Sequence, residues 1–234
     1  MVVTGAVNGQ PASLSALSRC RAAGVPAVVY GNAPELRAFD RAYVDHRAGE
    51  REIAKWLLAR GRRRIVPLFP TEPSKFWELE RIEGYAEAMR EAGLEPLPCA
   101  AMGDERLKRD SVGSRRFRFF KALAMETIAR LRRDCGLDAV LCVSDEWALV
   151  AMAAIRELGL VPNKDVAVAG YDNYTRGGQF EGMVEGRPAV TMDKRSDRTA
   201  ADLAALLTAR MAGKLPREPQ VRTHKQQLVV NEGV

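Results

Sequence analysis

The sequence predicts an α/β protein built on parallel sheet. Two short stretches, residues 138–143 and 165–169, are rich in apolar and β-branched side chains and end abruptly in polar residues. That pattern is typical of a strand covered on both faces. The segment between them, 145–158, has helical character, with a capping Ser144 before it and Gly159 after it. A strand, helix and strand in this order predict two parallel neighbours in one sheet.

The rest of the chain repeats this alternation. Short apolar runs that end at glycine, asparagine or proline predict strands at residues 1–4, 27–30, 65–69, 96–101, 189–192 and 226–230. Helical spacing of apolar residues predicts helices at 13–23, 47–60, 76–92, 117–134 and 196–212, and the Gly-rich segment 177–186 predicts a loop. The opening Val2-Val3 is typical of an inner strand, so we expect further chain to precede it in the complete protein.

The composition favours a globular protein in a reducing compartment. The 234 residues fit one large domain or two small lobes, and a hydrophobic content of 47% is enough for a packed core. The net charge of +6 permits contact with nucleic acid, although it is equally typical of an ordinary basic protein. The four cysteines form no CxxC pair, and neither a membrane-spanning run nor a signal peptide is found. We therefore expect a cytoplasmic protein without a membrane partner.

The motifs that would indicate catalysis or metal binding are missing from the sequence. It has no G-x-S-x-G elbow, no phosphate-binding G-x-x-x-x-G-K-[ST] loop and no clear dinucleotide fingerprint. His46 and His224 are isolated, and no Cys/His spacing suits a metal ion. We expect neither an enzyme nor a bound cofactor.

Several segments, in a fixed order, resemble one known family. They are VPAVV at 25–29, VD at 44–45, GRRRI at 61–65, RIEGY at 81–85, the two strand ends down to GYDN at 170–173, VTM at 190–192 and LVV at 228–230. Together they resemble the effector-binding core of the lactose-repressor (LacI/GalR) family of bacterial transcription regulators, which has a type I periplasmic-binding-protein-like fold. The resemblance covers nearly the whole chain.

The resemblance implies two lobes with a small molecule held between them. It assigns residues 1–61 with 193–219 to an incomplete N-terminal lobe, and 62–192 with 220–234 to the C-terminal lobe. The family's helix-turn-helix, its hinge helix and the first two βα units of the N-terminal lobe have no counterpart in this sequence. We therefore expect an N-terminally truncated core, which cannot read an operator without a recognition helix.

Two residues stand out as candidates for binding a sugar. A sugar pocket needs carboxylates or amides, a forked donor such as arginine, and a flat side chain against the ring. Arg81 opens the Arg-x-x-Gly-Tyr motif and Asp172 follows a Gly-Tyr pair, which match the family's ligand-binding arginine and aspartate. The alternatives are a solvated Arg81 paired with Glu78 or Glu80, and an Asp172 that only caps a turn.

Four further residues complete the candidate site. Asp45 matches a pocket carboxylate of the N-terminal lobe, or else caps the helix that follows it. Ser144 stands where the family usually has asparagine. The serine side chain is shorter than that of asparagine and lacks its amide donor and acceptor. Lys194 would favour an anionic group on the ligand unless it is simply solvated, and Trp77 is either a stacking platform or part of the core.

These observations predict the sensing domain of a LacI/GalR-type regulator. A sugar or sugar derivative would be the effector and would control DNA binding by a helix-turn-helix outside this chain, with the protein acting as a homodimer. Two alternatives stay open at this point. One is the solute-binding protein of a sugar transporter, and the other is a non-functional truncated remnant.

Overall fold

The computed structural model describes residues 2–3, 11–69, 72–101, 114–173, 180 and 182–231. Its helices are α1 (Pro11–Ala22), α2 (His46–Ala59), α3 (Phe76–Glu91), α4 (Ser114–Cys135), α5 (Asp145–Glu157) and α6 (Ser196–Met211), with one 3-10 turn at Pro34–Leu36. Its strands are β1 (Val2–Val3), β2 (Val28–Tyr30), β3 (Asp40–Tyr43), β4 (Ile65–Phe69), β5 (Ala100–Ala101), β6 (Ala139–Cys142), β7 (Ala167–Ala169), β8 (Val190–Asp193), β9 (Val221–Thr223) and β10 (Gln227–Val230). The predicted α/β class with parallel sheet is confirmed. Residues 177–179 and 181 of the predicted loop 177–186 lie outside the described residues, and the other six form turns and irregular structure.

The chain forms two compact units. The first consists of Met1–His46, Lys75–Glu80 and Lys194–Gln226, and the second of Arg47–Ser74, Arg81–Asp193 and Gln227–Val234.

The predicted lobe boundaries stay a prediction, and the two units differ from them in three segments and at the single residue Asp193, which belongs to the second unit. Residues 47–61 belong to the second unit, because Ile53 and Leu57 of α2 pack in its core. Residues 75–80 belong to the first unit, where Phe76 packs against a buried cluster. Residues 220–226 also belong to the first unit, because β9 pairs there with β3.

The first unit contains a four-stranded parallel sheet in the order β1-β2-β3-β9. Neighbouring residues of β2 point to opposite faces, as in any strand. Val28 joins Leu203 and Leu206 of α6 in one buried cluster, whereas Val29 joins Leu17 of α1 in another. Helices therefore cover both faces of this sheet. The strands β3 and β9 were not predicted as strands.

The second unit contains a six-stranded sheet in the order β10-β8-β7-β6-β4-β5. All pairs are parallel except β10 with β8. Residues Ile65, Ala139 and Ala167 face a core formed with α2 and α3. Their neighbours Val66 and Val140 are also fully buried, so both faces of the sheet are covered. Among the helices in the described ranges, none is long and apolar enough to cross a membrane.

Candidate ligand-binding site

The carboxyl ends of β6 and β7 meet at one edge of the second unit's sheet. The two strands pair in parallel, with Leu141 opposite Ala169. Just past their ends, the backbone N–H of Asp145 donates a hydrogen bond of 2.9 Å to the carbonyl of Tyr171. This edge is where open α/β sheets bind ligands. Ser144, the residue between β6 and α5, therefore lies at the position expected for a ligand contact.

Arg81 is held at this edge by several contacts. Its side chain is buried, and Nη1 donates a hydrogen bond of 2.7 Å to the carbonyl of Val143. Nη2 lies 3.8 Å from Oδ1 of Asp172, and the guanidinium carbon lies 3.3 Å from the ring centre of Tyr171. A cation over an aromatic face is favourable, and more so when water is excluded. Arg81 is therefore not the solvated helix arginine considered as an alternative.

The Arg-x-x-Gly-Tyr motif explains how Arg81 is positioned. A side chain at Gly84 would place its Cβ 2.0 Å from the carbonyl oxygen of Arg47, so only glycine lets α3 approach α2 this closely. The hydroxyl of Tyr85 lies 2.7 Å from the carbonyl of Ile65 and accepts a 2.9 Å bond from the N–H of Leu97. These contacts fix the helix that carries Arg81. Arg81 is the motif residue whose side chain bonds the Val143 carbonyl at the end of β6.

Asp172 sits in an uncommon backbone conformation. Its φ is 95° and that of Asn173 is 54°, both in the region that favours glycine. The conformation is held by a 2.9 Å bond from Asp172 N–H to the carbonyl of Met192 and by a 3.1 Å bond from Asn173 Nδ2 to Asp193. Such strain persists where the surroundings enforce it and is frequent at binding sites. It leaves the Asp172 carboxylate only 18% exposed, next to Arg81.

Ser144 is half-buried and occupies the N-cap position of α5. Its backbone is extended, with φ −160° and ψ 170°, but its side chain makes no capping hydrogen bond. The hydroxyl is therefore not committed to the helix. The neighbouring Asp145 is buried instead, and Gly170 makes room for it, since a Cβ there would lie 1.9 Å from Asp145 Oδ1.

Sequence reasoning missed one charged residue at this site, Glu50 of α2. Its side chain is 5% exposed, and it lines a small cavity together with Arg81, Phe69 and Val143. Burial, opposed by the positive charge of Arg81 and reinforced by the negative charge of Asp172, raises the pKa of Glu50 to about 7. A signal for it was present in the sequence. Glu50 is in helical register with the apolar Ile53, Ala54 and Leu57, where a charged side chain is unusual.

The other three predicted site residues belong to the first unit. Asp45 is exposed and directly precedes α2, and its carbonyl accepts a 2.6 Å hydrogen bond from Gln226. Trp77 is half-buried, with its ring centre 5.9 Å from that of His46 and 5.5 Å from Nζ of Lys75. Lys194 is half-buried and lines an apolar cavity beside Tyr30, Thr199 and Leu203 of the same unit. Their role in ligand binding stays a prediction.

Among the described residues, no group of three His, Cys, Asp or Glu side chains is placed to hold a metal ion. What they offer at the second unit's sheet edge is one buried guanidinium, the three carboxyl groups of Glu50, Asp145 and Asp172, and a serine hydroxyl. This set can donate to and accept from the hydroxyl groups of a small polar molecule.

Comparison with known proteins places these features in a family. The sequence profile of the periplasmic binding protein-like domain matches residues 54–232. The HTH-type transcriptional regulator CelR of Thermobifida fusca is 29% identical over 213 residues, which is 90% of this chain and 57% of that protein. The HTH-type transcriptional repressor PurR of Pasteurella multocida is 27% identical over 210 residues, again 90% and 57%. The chain therefore spans a little over half the length of these curated relatives.

A solved structure agrees with the sequence comparisons. The complex of the transcriptional regulator CelR with cellobiose superposes with a TM-score of 0.75 at 25% identity, covering 100% of this chain and 65% of the other. The family profile, the curated relatives and this structure all match the core that the sequence motifs predict. The chain belongs to the periplasmic binding protein-like domain family, and the resemblance to LacI-type transcriptional regulators that its motifs predict is confirmed.

Proposed function

We propose that this chain is the effector-sensing core of a transcriptional regulator and that its effector is a sugar or sugar derivative. The observation that carries the proposal is the buried Arg81 between the Val143 carbonyl and the Asp172 carboxylate, at the ends of β6 and β7. A guanidinium and a carboxylate with fixed positions suit the paired donor and acceptor character of sugar hydroxyls. The likeness to a regulator solved with cellobiose supports the same class of ligand.

Six residues form the proposed contact set. Arg81, Asp172 and Ser144 are its members in the second unit, and Asp45, Trp77 and Lys194 are its members in the first. In this proposal Arg81 and Asp172 form hydrogen bonds with adjacent hydroxyl groups of the sugar, and the indole ring of Trp77 stacks against the sugar ring.

The proposed regulatory step follows from differential binding. A ligand shifts a conformational equilibrium only by as much as it prefers one state over the other. A sugar that binds one conformation of the protein more tightly would favour that conformation, and in a homodimer this would change the spacing of the attached DNA-binding domains. We propose accordingly that the protein works as a homodimer in the cytoplasm, binds DNA through a helix-turn-helix, and is not an enzyme. The relatives reported above are regulators, which favours this role over a transporter's solute-binding protein.

Calorimetric titration of the full chain tests the ligand proposal. Cellobiose is the first probe, followed by a panel of other mono- and disaccharides. We expect one of them to bind, and we expect Arg81→Met and Asp172→Asn each to weaken that binding by roughly tenfold or more, since hydrogen bonds to charged groups contribute about 1.5–3 kcal/mol.

The matched control is Arg133→Met, because the Arg133 side chain is 74% exposed at the end of α4. It should bind like the wild type. Unchanged affinity in both site variants would refute the proposed contacts. A chain that lacks a cooperative thermal transition and binds no sugar would favour the remnant alternative.

A further inference from the structure

The first unit contains an open groove along the edge of its sheet where the strands begin. The groove is lined by residues just before β2 and β9, by the start of β3, and by the ends of α1 and α6. Because β2, β3 and β9 are parallel neighbours, their amino ends share this edge. The volume of the groove, about 690 Å³, suits a small molecule. Its described lining residues include none of the six residues of the proposed sugar contact set, so the groove is separate from that set.

The charged side chains of the groove carry an excess of positive charge. Those in its described lining are Arg21, Asp40, Arg210 and Arg217. Arg210 and Asp40 balance each other through two hydrogen bonds of 2.7 Å. Arg21 and Arg217 are exposed, and within the described ranges their guanidiniums have no hydrogen-bond or ion-pair partner. Glu218, the other acid that acts electrostatically on Arg210, is exposed to solvent and balances at most one of them.

The loop that carries Arg217 is held in place by Arg210. The Arg210 guanidinium donates hydrogen bonds to the carbonyls of Pro216 and Glu218, the two chain neighbours of Arg217. Further along the loop, the side-chain amide of Gln220 donates a 2.9 Å bond to the carbonyl of Glu218. Because the backbone on both sides of Arg217 is already fixed, a ligand bound by its guanidinium need not order the loop. Arg210 itself is committed to these bonds and to its aspartate partner.

Arg21 and an apolar part of the lining complete the groove. Arg21 lies in the last turn of α1, which is closed by backbone hydrogen bonds from the N–H groups of residues 23–25. The apolar lining includes Val25, Phe39 and Pro219. Val25 is 46% exposed, and Phe39 is half-buried against a core cluster. The groove therefore combines two guanidiniums with an exposed apolar surface.

We propose that this groove is a second ligand site and that it binds a small organic phosphate. Arg21 and Arg217 donate charge-assisted hydrogen bonds to the phosphate oxygens, since the guanidinium fork matches phosphate geometry. The organic part of the ligand packs against Val25, Phe39 and Pro219. The two arginines favour a phosphate over an uncharged molecule, and the apolar lining favours an organic phosphate over inorganic phosphate. The site does not depend on the sugar proposal.

Calorimetric titration of the full chain at low salt tests the ligand class. The probes are phenyl phosphate, adenosine monophosphate and glucose 6-phosphate, each compared with its uncharged counterpart, phenol, adenosine or glucose, and with inorganic phosphate. We expect at least one organic phosphate to bind with a Kd below about 1 mM, and at least tenfold more tightly than both its counterpart and inorganic phosphate. Because the arginines are exposed, added sodium chloride should weaken this binding.

Two substitutions test the residues. Arg21→Gln and Arg217→Gln should each weaken binding of the organic phosphate by roughly fivefold or more, since each removes a charge-assisted hydrogen bond. Both positions are exposed and without partners among the described residues, so we expect both variants to fold and to keep the cellobiose affinity of the wild type. Arg90→Gln is the matched control, because it removes the same charge at an exposed position of α3 in the second unit. It should bind the organic phosphate like the wild type.

Each outcome decides for or against the second site. Its overturning results are no organic phosphate bound below about 1 mM, equal affinity in both groove variants and the wild type, or inorganic phosphate bound as tightly as the organic ones. A short DNA duplex of unrelated sequence that binds more tightly than every small phosphate, and less tightly to Arg21→Gln, would also overturn it, in favour of a DNA contact. An organic phosphate that binds through the groove of a chain without affinity for any sugar supports the second site and counts against the sugar proposal alone.

Discussion

Each unit places an arginine beside an aspartate, and the two pairs differ in their geometry. In the first unit Arg210 holds Asp40 with two hydrogen bonds of 2.7 Å, from Nε and Nη2, and the N–H of Gln220 adds a third at 2.7 Å. In the second unit Arg81 Nη2 lies 3.8 Å from Asp172, and a second carboxyl, Glu50, acts on the same guanidinium.

The difference separates a structural pair from the proposed binding site. The bidentate geometry of Asp40 and Arg210 satisfies both partners and ties α6 to the start of β3. Although burial acts to raise the pKa of Asp40, the bonds from Arg210 and Gln220 outweigh it and hold this pKa below its usual value. In the second unit the Arg81–Asp172 pair is longer, at 3.8 Å, and lies at a strained strand end. We therefore expect a ligand contact at Arg81 and Asp172 and none at Asp40 and Arg210.

Removing the arginine of the structural pair should have the largest effect on stability. Arg210→Met leaves the Asp40 carboxylate, 4% exposed as a residue, without its partner. Breaking a buried pair in this way costs about 4 kcal/mol. We expect that loss in the free energy of unfolding, measured by urea denaturation, with no change in sugar affinity for the folded protein. Weaker sugar binding with unchanged stability would reverse the comparison.

The pH dependence of stability should have opposite signs in the two places. The pKa of Glu50 is raised from 4.5 to about 7, so its contribution is fully present below pH 4.5 and is lost as the pH rises through about 7, by roughly 3 kcal/mol. The pKa of Asp40 is lowered, so its contribution is present above 3.8 and is lost as the pH falls through the folded value. Unfolding by urea between pH 3 and 8.5 measures both.

Single substitutions show which residue causes each pH-dependent change in the free energy of unfolding. Glu50→Gln should remove the loss of stability between about pH 4.5 and 7. Asp40→Asn should reduce the loss at acid pH, to which the lowered pKa values of Glu87, Glu91 and Asp197 also contribute. Glu52→Gln, at an exposed position of α2, should leave the profile as it is. A Glu50→Gln profile that still declines between about pH 4.5 and 7 like the wild type would show that Glu50 is not the group responsible.

The sequence alone located what depends on local pattern. The bounds of α2, α3 and β4 are predicted within a residue or two, because buried periodic side chains define them. The strand β3 was missed because its first residue is Asp40, whose burial depends on Arg210, 170 positions further along the chain. No local pattern encodes such a partner.

The candidate site also contains residues that local sequence patterns predict and groups that only the fold brings together. Arg81 and Asp172 were found through motifs, and the structure brings them together. The Val143 carbonyl that anchors Arg81 is a backbone group, which has no signature in the sequence. Glu50 carries the signature of a charged residue on an apolar helix face, but its importance depends on two side chains brought near it by the fold.

The glycine of the arginine motif tests whether the site depends on helix spacing. In Gly84→Ala the new Cβ would lie 2.0 Å from the Arg47 carbonyl oxygen, so α2 and α3 must move apart. Such overpacking costs about 2 kcal/mol. Because Glu50 lies on α2 and Arg81 on α3, we expect weaker sugar binding as well. Gly93→Ala offers a contrast, since its Cβ would meet nothing within 4 Å and only its φ of +70° is unfavourable. It should cost stability without affecting binding.

The smallest expected effect concerns Ser144, the residue that departs from the family's usual asparagine. Its hydroxyl makes no capping bond to α5, so Ser144→Asn should change the free energy of unfolding by less than about 0.5 kcal/mol. The longer amide adds a donor and an acceptor beside Arg81 and Asp172. One added hydrogen bond contributes about 1 kcal/mol, or roughly fivefold in affinity. Calorimetry with the sugar that binds the wild type should show a higher affinity if that sugar has a hydroxyl group near residue 144. It should show a lower affinity if the sugar already fills the space next to Ser144. An affinity identical to the wild type would place Ser144 outside the contact set and restrict the second unit's contribution to Arg81 and Asp172.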